Sequence, residues 1–346
     1  MGVDLGDLAV KNTISLDSLS GKVIAIDAFN VLYQFLASIR QEDGTSLMDF
    51  RGNVTAHLSG LFYRSSKLIE NGIKPVYVFD GERTKLKGAV IEKRVMAKKE
   101  AKKKWDEALA KGELGEAKKY AQATSRLTSE MVDESKELLD GMGIPWVQAK
   151  GEGEAEASIM VQKGKAYAAA SQDYDVLLFG SPILVRNISI TGRRKVPRQD
   201  RYIMVEPEEI RLDETLKSLG ITREQLVLIG ILTGTDFNQG VYRIGPKTAL
   251  KIVKEHKTLR EIERYVKEKH DYEFEVNPRE IFDLFTKPKK ARLPEKFRWG
   301  NVRIEKIAEL LVEKHDFSEE RVQRTAEHLI KSFEEKGKQK NLDQWF

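Results

Sequence analysis

Two pairs of carboxylates near the middle of this 346-residue chain restrict its possible folds more than any other feature. Glu152 and Glu154 open a predicted helix, and Asp173 and Asp175 follow a short apolar run, 166–170, of strand length. Within each pair the acids are two residues apart, so both can point to one place from a strand end or a loop. Four carboxylates held together repel one another unless a cation neutralises them, and hard divalent cations prefer oxygen ligands. The alternative is that they are solvated acids at a helix start and in a turn.

The pattern of a buried strand that ends in an acid also occurs twice in the first quarter of the chain. Predicted strands at 23–26 and 76–79 lead directly to Asp27 and Asp80. Helices predicted between the strands indicate a parallel sheet, and open α/β sheets bind ligands at the carboxyl edge of their strands. Further strands are predicted at 145–148, 166–170, 183–188 and 202–205. Six acids would therefore reach one edge from four strand ends, which makes coincidence a poor explanation.

Composition excludes several classes of protein. The chain has no cysteine, so it has no disulfide and no thiolate metal site, and its five histidines lack the spacing of a zinc motif. No apolar run approaches the roughly 20 residues of a membrane-spanning helix. The first ten residues lack the basic segment of a signal peptide. We therefore expect an intracellular protein without a membrane segment.

Segment 83–104 is strongly basic, with ten Lys or Arg residues and two acids in 22 positions. It starts just after Asp80, so it must begin close to the predicted acidic edge. One interpretation is a solvated helical face. The interpretation that we favour is a patch that binds a phosphate backbone in a salt-dependent way.

The second half of the chain is predicted to be mainly helical. Thr222 and Gln225 fit a capping box. Gly245-Pro246 opens a helix whose first backbone N–H groups can hold a phosphate without reading base sequence. In the chain as a whole, the predicted helices cover residues 28–40, 54–69, 114–141, 155–162, 258–270, 302–314 and 319–336.

Taken in order, the motifs of this chain resemble those of the flap endonucleases, a family of structure-specific 5′ nucleases, and are most similar to the archaeal members. The resemblance runs from GVDLGDL near the N-terminus to the terminal WF. The motifs that carry it are IDAFNVLYQFLA, LSGLFYR, ENGIKPVYVFDG, GEGEAEA, AAASQDYDVLLFG, LTGTDF, IGPK, DFSEER and QKNLDQWF.

The resemblance implies a fold and an active site. The implied fold is α/β, a PIN-like nuclease core with a central, largely parallel twisted sheet flanked by helices, joined to a helical region that contains a helix–two-turn–helix. The carboxylates implied to hold two Mg²⁺ ions, for which Mn²⁺ could substitute, are Asp27, Asp80, Glu152, Glu154, Asp173, Asp175 and Asp236. Lys87 and Arg94 would be catalytic cations beside the scissile phosphate, and their seven-residue spacing puts them on one helical face.

The resemblance also implies regions that bind DNA and a protein partner. The residues implied to contact DNA are Gly2, Tyr33, Arg40, Arg64, Gly240, Val241, Ile244, Gly245, Lys247 and Arg321. Tyr33 matches a stacking tyrosine, Gly2 would become the first residue after methionine removal, and the turn before IGPK would grip duplex backbone together with K⁺. The tail residues implied to bind a sliding clamp are Gln339, Leu342, Trp345 and Phe346.

The chain departs from the family pattern at three places. Arg243 stands where the family usually has glycine before IGPK, which would alter the turn or add a phosphate contact. The segment after FDG continues ERTKLK without the expected prolines. Lys150-Gly151 precedes Glu152 where a proline and a small residue are usual.

We therefore predict three regions: a nuclease core over 1–220 that includes a basic helical arch at 81–127, a helical DNA-binding region over 221–336, and a clamp-binding tail over 337–346. The predicted activity is cleavage of 5′ single-stranded flaps at their junction with duplex DNA, with accompanying 5′–3′ exonuclease activity, in DNA replication and base excision repair. The predicted protein is a monomer in the cytoplasm of an archaeal cell, associated with the nucleoid.

Two other functional classes are compatible with parts of this pattern. A DNA-binding clamp adaptor without catalysis would account for the basic segment and the tail, but not for seven convergent acids. A carboxylate-dependent phosphatase could use Asp27 or Asp80 as a nucleophile, and it would form a phosphoenzyme. A metal-dependence assay on a labelled flap substrate separates the three classes.

Overall fold

A mixed β-sheet forms the centre of the protein. The computed structural model describes residues 2–82, 84, 86, 88–189, 192–195 and 202–343. The strands in these ranges are β1 (Lys11–Thr13), β2 (Val23–Asp27), β3 (Lys74–Phe79), β4 (Trp146–Gln148), β5 (Ala168–Ala170), β6 (Ile183–Arg186), β7 (Gly192–Lys195), β8 (Tyr202–Val205) and β9 (Glu208–Arg211). The central sheet has the strand order β1-β9-β6-β5-β2-β3-β4, while β7 pairs with β8 in a separate ribbon.

The central sheet is largely parallel, which confirms the predicted fold class. Strands β6, β5, β2, β3 and β4 run parallel to one another, and β9 and β1 add an edge of antiparallel pairs beside β6. The prediction that 202–205 would extend this sheet is wrong, because β9 takes that place beside β6. Ile210 of β9 pairs with Leu184 of β6 and both are fully buried, whereas Met204 of β8 is 72% exposed.

Helices flank the sheet, and four of the seven helices with predicted bounds lie within two residues of those bounds. They are α1 (Ala28–Ser38), α2 (Ala56–Glu70), α3 (Gly88–Ala110), α4 (Leu114–Gln122), α5 (Ser129–Gly141), α6 (Gly153–Gln162), α7 (Asp175–Leu178), α8 (Leu212–Leu219), α9 (Arg223–Thr233), α10 (Pro246–Glu255), α11 (Leu259–His270), α12 (Pro278–Thr286), α13 (Ile304–Ala308) and α14 (Glu319–Asp343). The capping box of Thr222 and Gln225 is confirmed at the start of α9. Within the described residues, no helix has both the length and the apolar composition needed to span a membrane.

Three predicted helices have different bounds in the structure. The single helix predicted over 114–141 is wrong, because Thr128 has an extended backbone and its side chain accepts a hydrogen bond from the N–H of Met131, which starts a new helix. The helix predicted over 302–314 consists of α13 and a π-helical turn at Glu309–Glu313. The last helix, α14, continues seven residues beyond its predicted end at 336, as far as Asp343, the last described residue.

Hydrophobic cores lie on both faces of the sheet, because successive strand side chains point to opposite faces. In β3, Val76 and Val78 contact a core built with α6 to α12, while Tyr77 and Phe79 contact a second core built with α1, α2, α5, α13 and α14. The helical second half of the chain is therefore divided between the two faces. This arrangement leaves the carboxyl edge of the parallel strands as the place where loops from both faces meet.

Candidate functional site

The first two acids of the predicted site lie at the carboxyl ends of adjacent strands. Asp27 is the last residue of β2, and Asp80 directly follows β3, the parallel neighbour of β2. The Oδ1 atom of Asp27 accepts a 3.1 Å hydrogen bond from the backbone N–H of Asn30 and so caps α1. The Oδ1 atom of Asp80 accepts a 2.7 Å bond from the N–H of Gly153, the first residue of α6. These bonds hold both carboxylates at one edge of the sheet.

The central acidic pairs reach the same edge from α6, from the end of β5 and from α7. Glu154 lies in the first turn of α6, and its Oε1 accepts a 2.8 Å bond from the hydroxyl of Ser171. Asp173 lies three residues after β5, and its Oδ2 accepts a 3.0 Å bond from the side-chain amide of Asn30. Asp175 opens α7 and is buried. Asn30 and Ser171 were not predicted as site residues, although both lie inside the motifs IDAFNVLYQFLA and AAASQDYDVLLFG.

Burial and mutual repulsion raise the pKa of two of these carboxylates. Burial, and then the charges of Asp175, Asp27 and Asp173, raise the pKa of Glu154 well above its usual value. Burial, and then the charge of Asp236 after α9, raise the pKa of Asp175 to about 7. Five of the seven predicted acids, from four separate parts of the chain, therefore act on one another electrostatically. Glu152 precedes α6 directly and Asp80 is bonded to the first residue of that helix, so the remaining two lie at the start of α6.

The donor chemistry of this edge fits a hard divalent cation. All the candidate ligand atoms are carboxylate oxygens, and a cation would offset the repulsion that raises the pKa values. Among the described residues, no three His, Asp or Glu side chains are already arranged around one metal position. Several carboxylate oxygens instead accept hydrogen bonds from Asn30, Gly153 and Ser171. Metal binding at this edge would therefore bring the carboxylates closer together than they lie here.

The N-terminal segment lies directly against the acidic edge. The backbone N–H of Gly2 is 3.1 Å from Oδ1 of Asp173, and that of Val3 is 2.7 Å from Oδ1 of Asp175. A Cβ atom at Gly2 would come within 2.9 Å of Cβ of Asp173 and of Cγ of Asp175. A side chain at position 2 would therefore displace two of the acids, which explains the presence of glycine there.

The basic segment is described only in part. Lys87 lies outside the described residues, and the structure describes the backbone of Arg94 on α3 but not its side chain. Further along α3, the Nζ atom of Lys98 lies 5.4 Å from the ring centre of Tyr33, which is 38% exposed on α1. Trp105 donates a 3.1 Å bond to the carbonyl of Asp43. Helix α3 therefore contacts the elements that follow the acidic edge.

The predicted DNA-binding arginines differ in their surroundings. Arg40 donates hydrogen bonds to two backbone carbonyls and to the hydroxyl of Ser125, and burial lowers the pKa of its guanidinium. Arg40 therefore binds protein groups in this structure. Arg64 is exposed on α2, and exposed Arg321 on α14 lines a groove with Phe50, whose side chain is 94% exposed.

The turn between α9 and α10 combines buried and exposed residues. Val241 and Ile244 are buried, and their N–H groups donate to backbone carbonyls, so neither amide is available to a ligand. Gly240 has φ 73°. Gly245 is exposed at the start of α10, and the exposed ammonium of Lys247 lies 3.0 Å from a carboxylate oxygen of Asp7.

The predicted clamp-binding residues lie at the end of the described chain. Gln339 and Leu342 belong to the backbone of α14, and their side chains are not described. Trp345 and Phe346 lie outside the described residues.

Comparison with known proteins identifies the family. The chain matches the XPG N-terminal domain over residues 5–101 and the XPG I-region over residues 143–236. Flap endonuclease 1 of Hyperthermus butylicus is 52% identical over 355 aligned residues, which cover 100% of this chain and 99% of that protein. The solved structure of flap endonuclease-1 from Methanococcus jannaschii superimposes with a TM-score of 0.74 at 38% identity, covering 97% of this chain and 100% of the other.

A more distant solved structure has the same fold. The catalytic core of Rad2, solved with a DNA substrate, superimposes with a TM-score of 0.69 at 23% identity and covers 95% of this chain and 100% of the other. The matches to the curated relative and to the Methanococcus jannaschii structure span nearly the full length of both chains. The chain therefore belongs to the flap endonuclease family of structure-specific 5′ nucleases.

Proposed function

We propose that this protein cleaves 5′ single-stranded DNA flaps at their junction with a duplex, with accompanying 5′–3′ exonuclease activity, in DNA replication and base excision repair. The observation that carries the proposal is the convergence of carboxylates from β2, β3, α6, α7 and the loops after β5 and α9 at one sheet edge. Burial, and then the charge of Asp236, raise the pKa of Asp175 to about 7, so its charged form is costly without a partner cation. Neither an adaptor without catalysis nor a pure DNA-binding protein needs such a cluster.

The ligands that we propose for two Mg²⁺ ions, with Mn²⁺ as a substitute, are Asp27, Asp80, Glu152, Glu154, Asp173, Asp175 and Asp236. Bound ions would supply positive charge that activates a water molecule and stabilises the leaving oxygen of the phosphodiester. Asn30, Ser171 and Gly153 orient the carboxylates through the hydrogen bonds described above. We propose that Lys87 and Arg94 stabilise the negative charge that develops on the phosphate in the transition state. No side chain is required as the nucleophile.

The proposed DNA path runs from the acidic edge to the turn before α10. Tyr33 would stack on a base near the cleaved strand, and Gly2, Arg40, Arg64 and Arg321 would lie along the path. The segment that includes Gly240, Val241, Ile244, Gly245 and Lys247 would hold duplex backbone, with K⁺ bound at its carbonyls. The exposed start of α10 supports this assignment, because uncapped N–H groups at a helix start bind phosphate. Buried Val241 and Ile244 could contribute only through their backbone carbonyls, because their N–H groups already donate within the protein.

The C-terminal tail is assigned to a protein partner. We propose that Gln339, Leu342, Trp345 and Phe346 bind a sliding clamp of the cell's replication machinery. Large aromatic residues are rare in unpartnered polar tails, which supports this assignment. We further propose that the protein acts as a monomer in the cytoplasm of an archaeal cell, close to the nucleoid.

The test is a metal titration on a labelled flap substrate with matched acid variants. Asp175→Ala and Glu154→Ala are expected to abolish Mg²⁺-dependent cleavage while they retain most DNA binding. Glu156→Gln is the control, because Glu156 lies on the same helix but its carboxylate accepts a bond from the N–H of Ala291. The proposal fails if both alanine variants cleave at saturating Mg²⁺, or if cleavage proceeds in EDTA. A phosphoenzyme trapped on Asp27 or Asp80 would support the phosphatase alternative instead.

A further inference from the structure

One arginine has a backbone conformation that arginine rarely adopts. The described residues other than glycine that have positive φ are Asn187, Arg243, Asp271 and Asp316. Asn and Asp enter the left-handed region comparatively easily, because their short side chains bond locally, but a long side chain gains no such compensation. Arg243, with φ 65°, is therefore the strained member of this set. Strain of this kind persists at functional sites, where the rest of the structure imposes it.

The side chain of Arg243 is exposed and is held in an open position. Its guanidinium carbon lies 5.1 Å from the ring centre of Tyr242, which is itself 77% exposed. A guanidinium that lies over an aromatic ring keeps its N–H edge available for hydrogen bonds. The planar donor edge of arginine matches the paired oxygens of a phosphate. The strained residue therefore presents an anion-binding group rather than a group that completes the protein core.

Arg243 also extends a row of positive charge along α10. Lys247, Lys251 and Lys254 follow it at intervals of four, four and three residues, and all four side chains are exposed. Within α10 the spacing of Lys247, Lys251 and Lys254 places these three side chains on one face, and Arg243 lies three residues before the helix start. Acidic residues near this row are Asp7, which pairs with Lys247, and Glu255 at the helix end. The row is therefore a basic surface that can contact several successive phosphates of a polyanion.

We propose that Arg243 is a phosphate-binding residue for the backbone of duplex DNA, and that this contact is the reason the chain tolerates its strained conformation. This inference rests on the proposed nuclease function, since that function supplies the duplex. Backbone contacts of this kind fix position without reading bases. The contribution of Arg243 should therefore be independent of sequence and sensitive to salt.

The experiment compares Arg243→Gly with Arg243→Ala, which remove the same charge but differ in backbone strain. Binding of a labelled blunt duplex without a flap is measured in EDTA over about 50–200 mM salt. Both variants are expected to bind roughly threefold to tenfold more weakly, with the salt dependence reduced by about one phosphate contact. Arg243→Gly should also melt about 1–2 °C higher than Arg243→Ala, because glycine adopts the positive φ without strain.

Arg279→Ala is the matched control. Arg279 is also exposed and also lies over an aromatic ring, 5.6 Å from the centre of Phe282, but it is part of the regular helix α12 and pairs with Asp283. Its substitution should leave duplex binding and the salt dependence unchanged. An unchanged salt dependence in both Arg243 variants, while the wild-type protein binds duplex and cleaves flaps, overturns the inference alone. A wild-type protein that neither binds duplex nor cleaves flaps overturns the proposed function, and the inference with it.

Discussion

Replacement of Gly153 by alanine should impair catalysis without destabilising the protein. A Cβ atom at Gly153 would lie 2.8 Å from Oδ1 of Asp80 and 3.1 Å from the carbonyl oxygen of Val78. The backbone carbonyl belongs to β3 and cannot move far, so the carboxylate must yield. To reach the 3.4 Å of an ordinary contact, Oδ1 must retreat by about 0.6 Å. The same movement stretches the 2.7 Å bond from the N–H of Gly153 that orients this carboxylate.

The size of the effect follows from this displacement. A misplacement of about 1 Å at a reacting centre can cost a factor of about 100, so a shift of about 0.6 Å should slow the chemical step roughly tenfold. Stability should change by less than about 1 kcal/mol, because alanine favours the first turn of α6 by an amount that offsets the crowding. A loss of activity with retained stability would thus locate the effect at Asp80.

The assay is single-turnover cleavage of a labelled flap at saturating protein, repeated over a range of Mg²⁺ concentrations. Gly151→Ala is the control, because a Cβ atom there has no neighbour within 4 Å. We expect Gly153→Ala to need more Mg²⁺ and to react more slowly even at saturation, and Gly151→Ala to behave like the wild type. A wild-type rate for Gly153→Ala would show that the position of Asp80 does not limit the reaction.

Three further predictions concern charge and the C-terminal tail. Arg94→Ala should lower the single-turnover rate at least tenfold with little change in DNA affinity, because the arginine interacts with negative charge that develops only in the transition state. A loss of affinity with an unchanged single-turnover rate would contradict this prediction. Burial would raise the pKa of Asp49, but hydrogen bonds from Asn53 and His315 hold it well below its usual value. The stability that this group contributes is therefore present above about pH 4 and lost as the pH falls further. Asp49→Asn should lower the melting temperature at pH 7 by a few degrees. In thermal scans at acidic pH, the melting temperature of this variant should fall less steeply with pH than that of the wild type. The double change Trp345→Ala with Phe346→Ala should abolish binding to a sliding clamp in a pull-down and leave clamp-free cleavage unchanged; a loss of basal activity would place the tail in the folded core.

The sequence allowed prediction of the elements that have strong local patterns. Strands β2 and β3 are apolar runs that end in an acid, and α1, α2 and α6 follow with helical periodicity, so their bounds are nearly as predicted. Strand β9 was not predicted, because EEIR has one apolar residue, and its place depends on Ile210 packing opposite Leu184. The break between α4 and α5 depends on one capping threonine, which a continuous helical pattern conceals.

The acids of the candidate site could be predicted, but the groups that orient them could not. Each carboxylate follows a strand or opens a helix, and this position is readable in sequence. Asn30 and Ser171 act through bonds to Asp173 and Glu154, residues that are 143 and 17 positions away along the chain. The Asn30–Asp173 pair becomes visible only when the sheet order places β2 next to β5, and the Ser171–Glu154 pair only when α6 packs beside β5.

The hydrogen bonds at the acidic edge explain how these carboxylates can stay together before a cation binds. Their donors are N–H and O–H groups from α1, α6, the N-terminal segment and the loop after β5. The backbone N–H of Val3 and the positive charge of the N-terminus lower the pKa of Asp175, yet burial and the charge of Asp236 still raise it to about 7. These groups therefore weaken the repulsion without cancelling it, and a divalent cation remains the group that would stabilise the edge most.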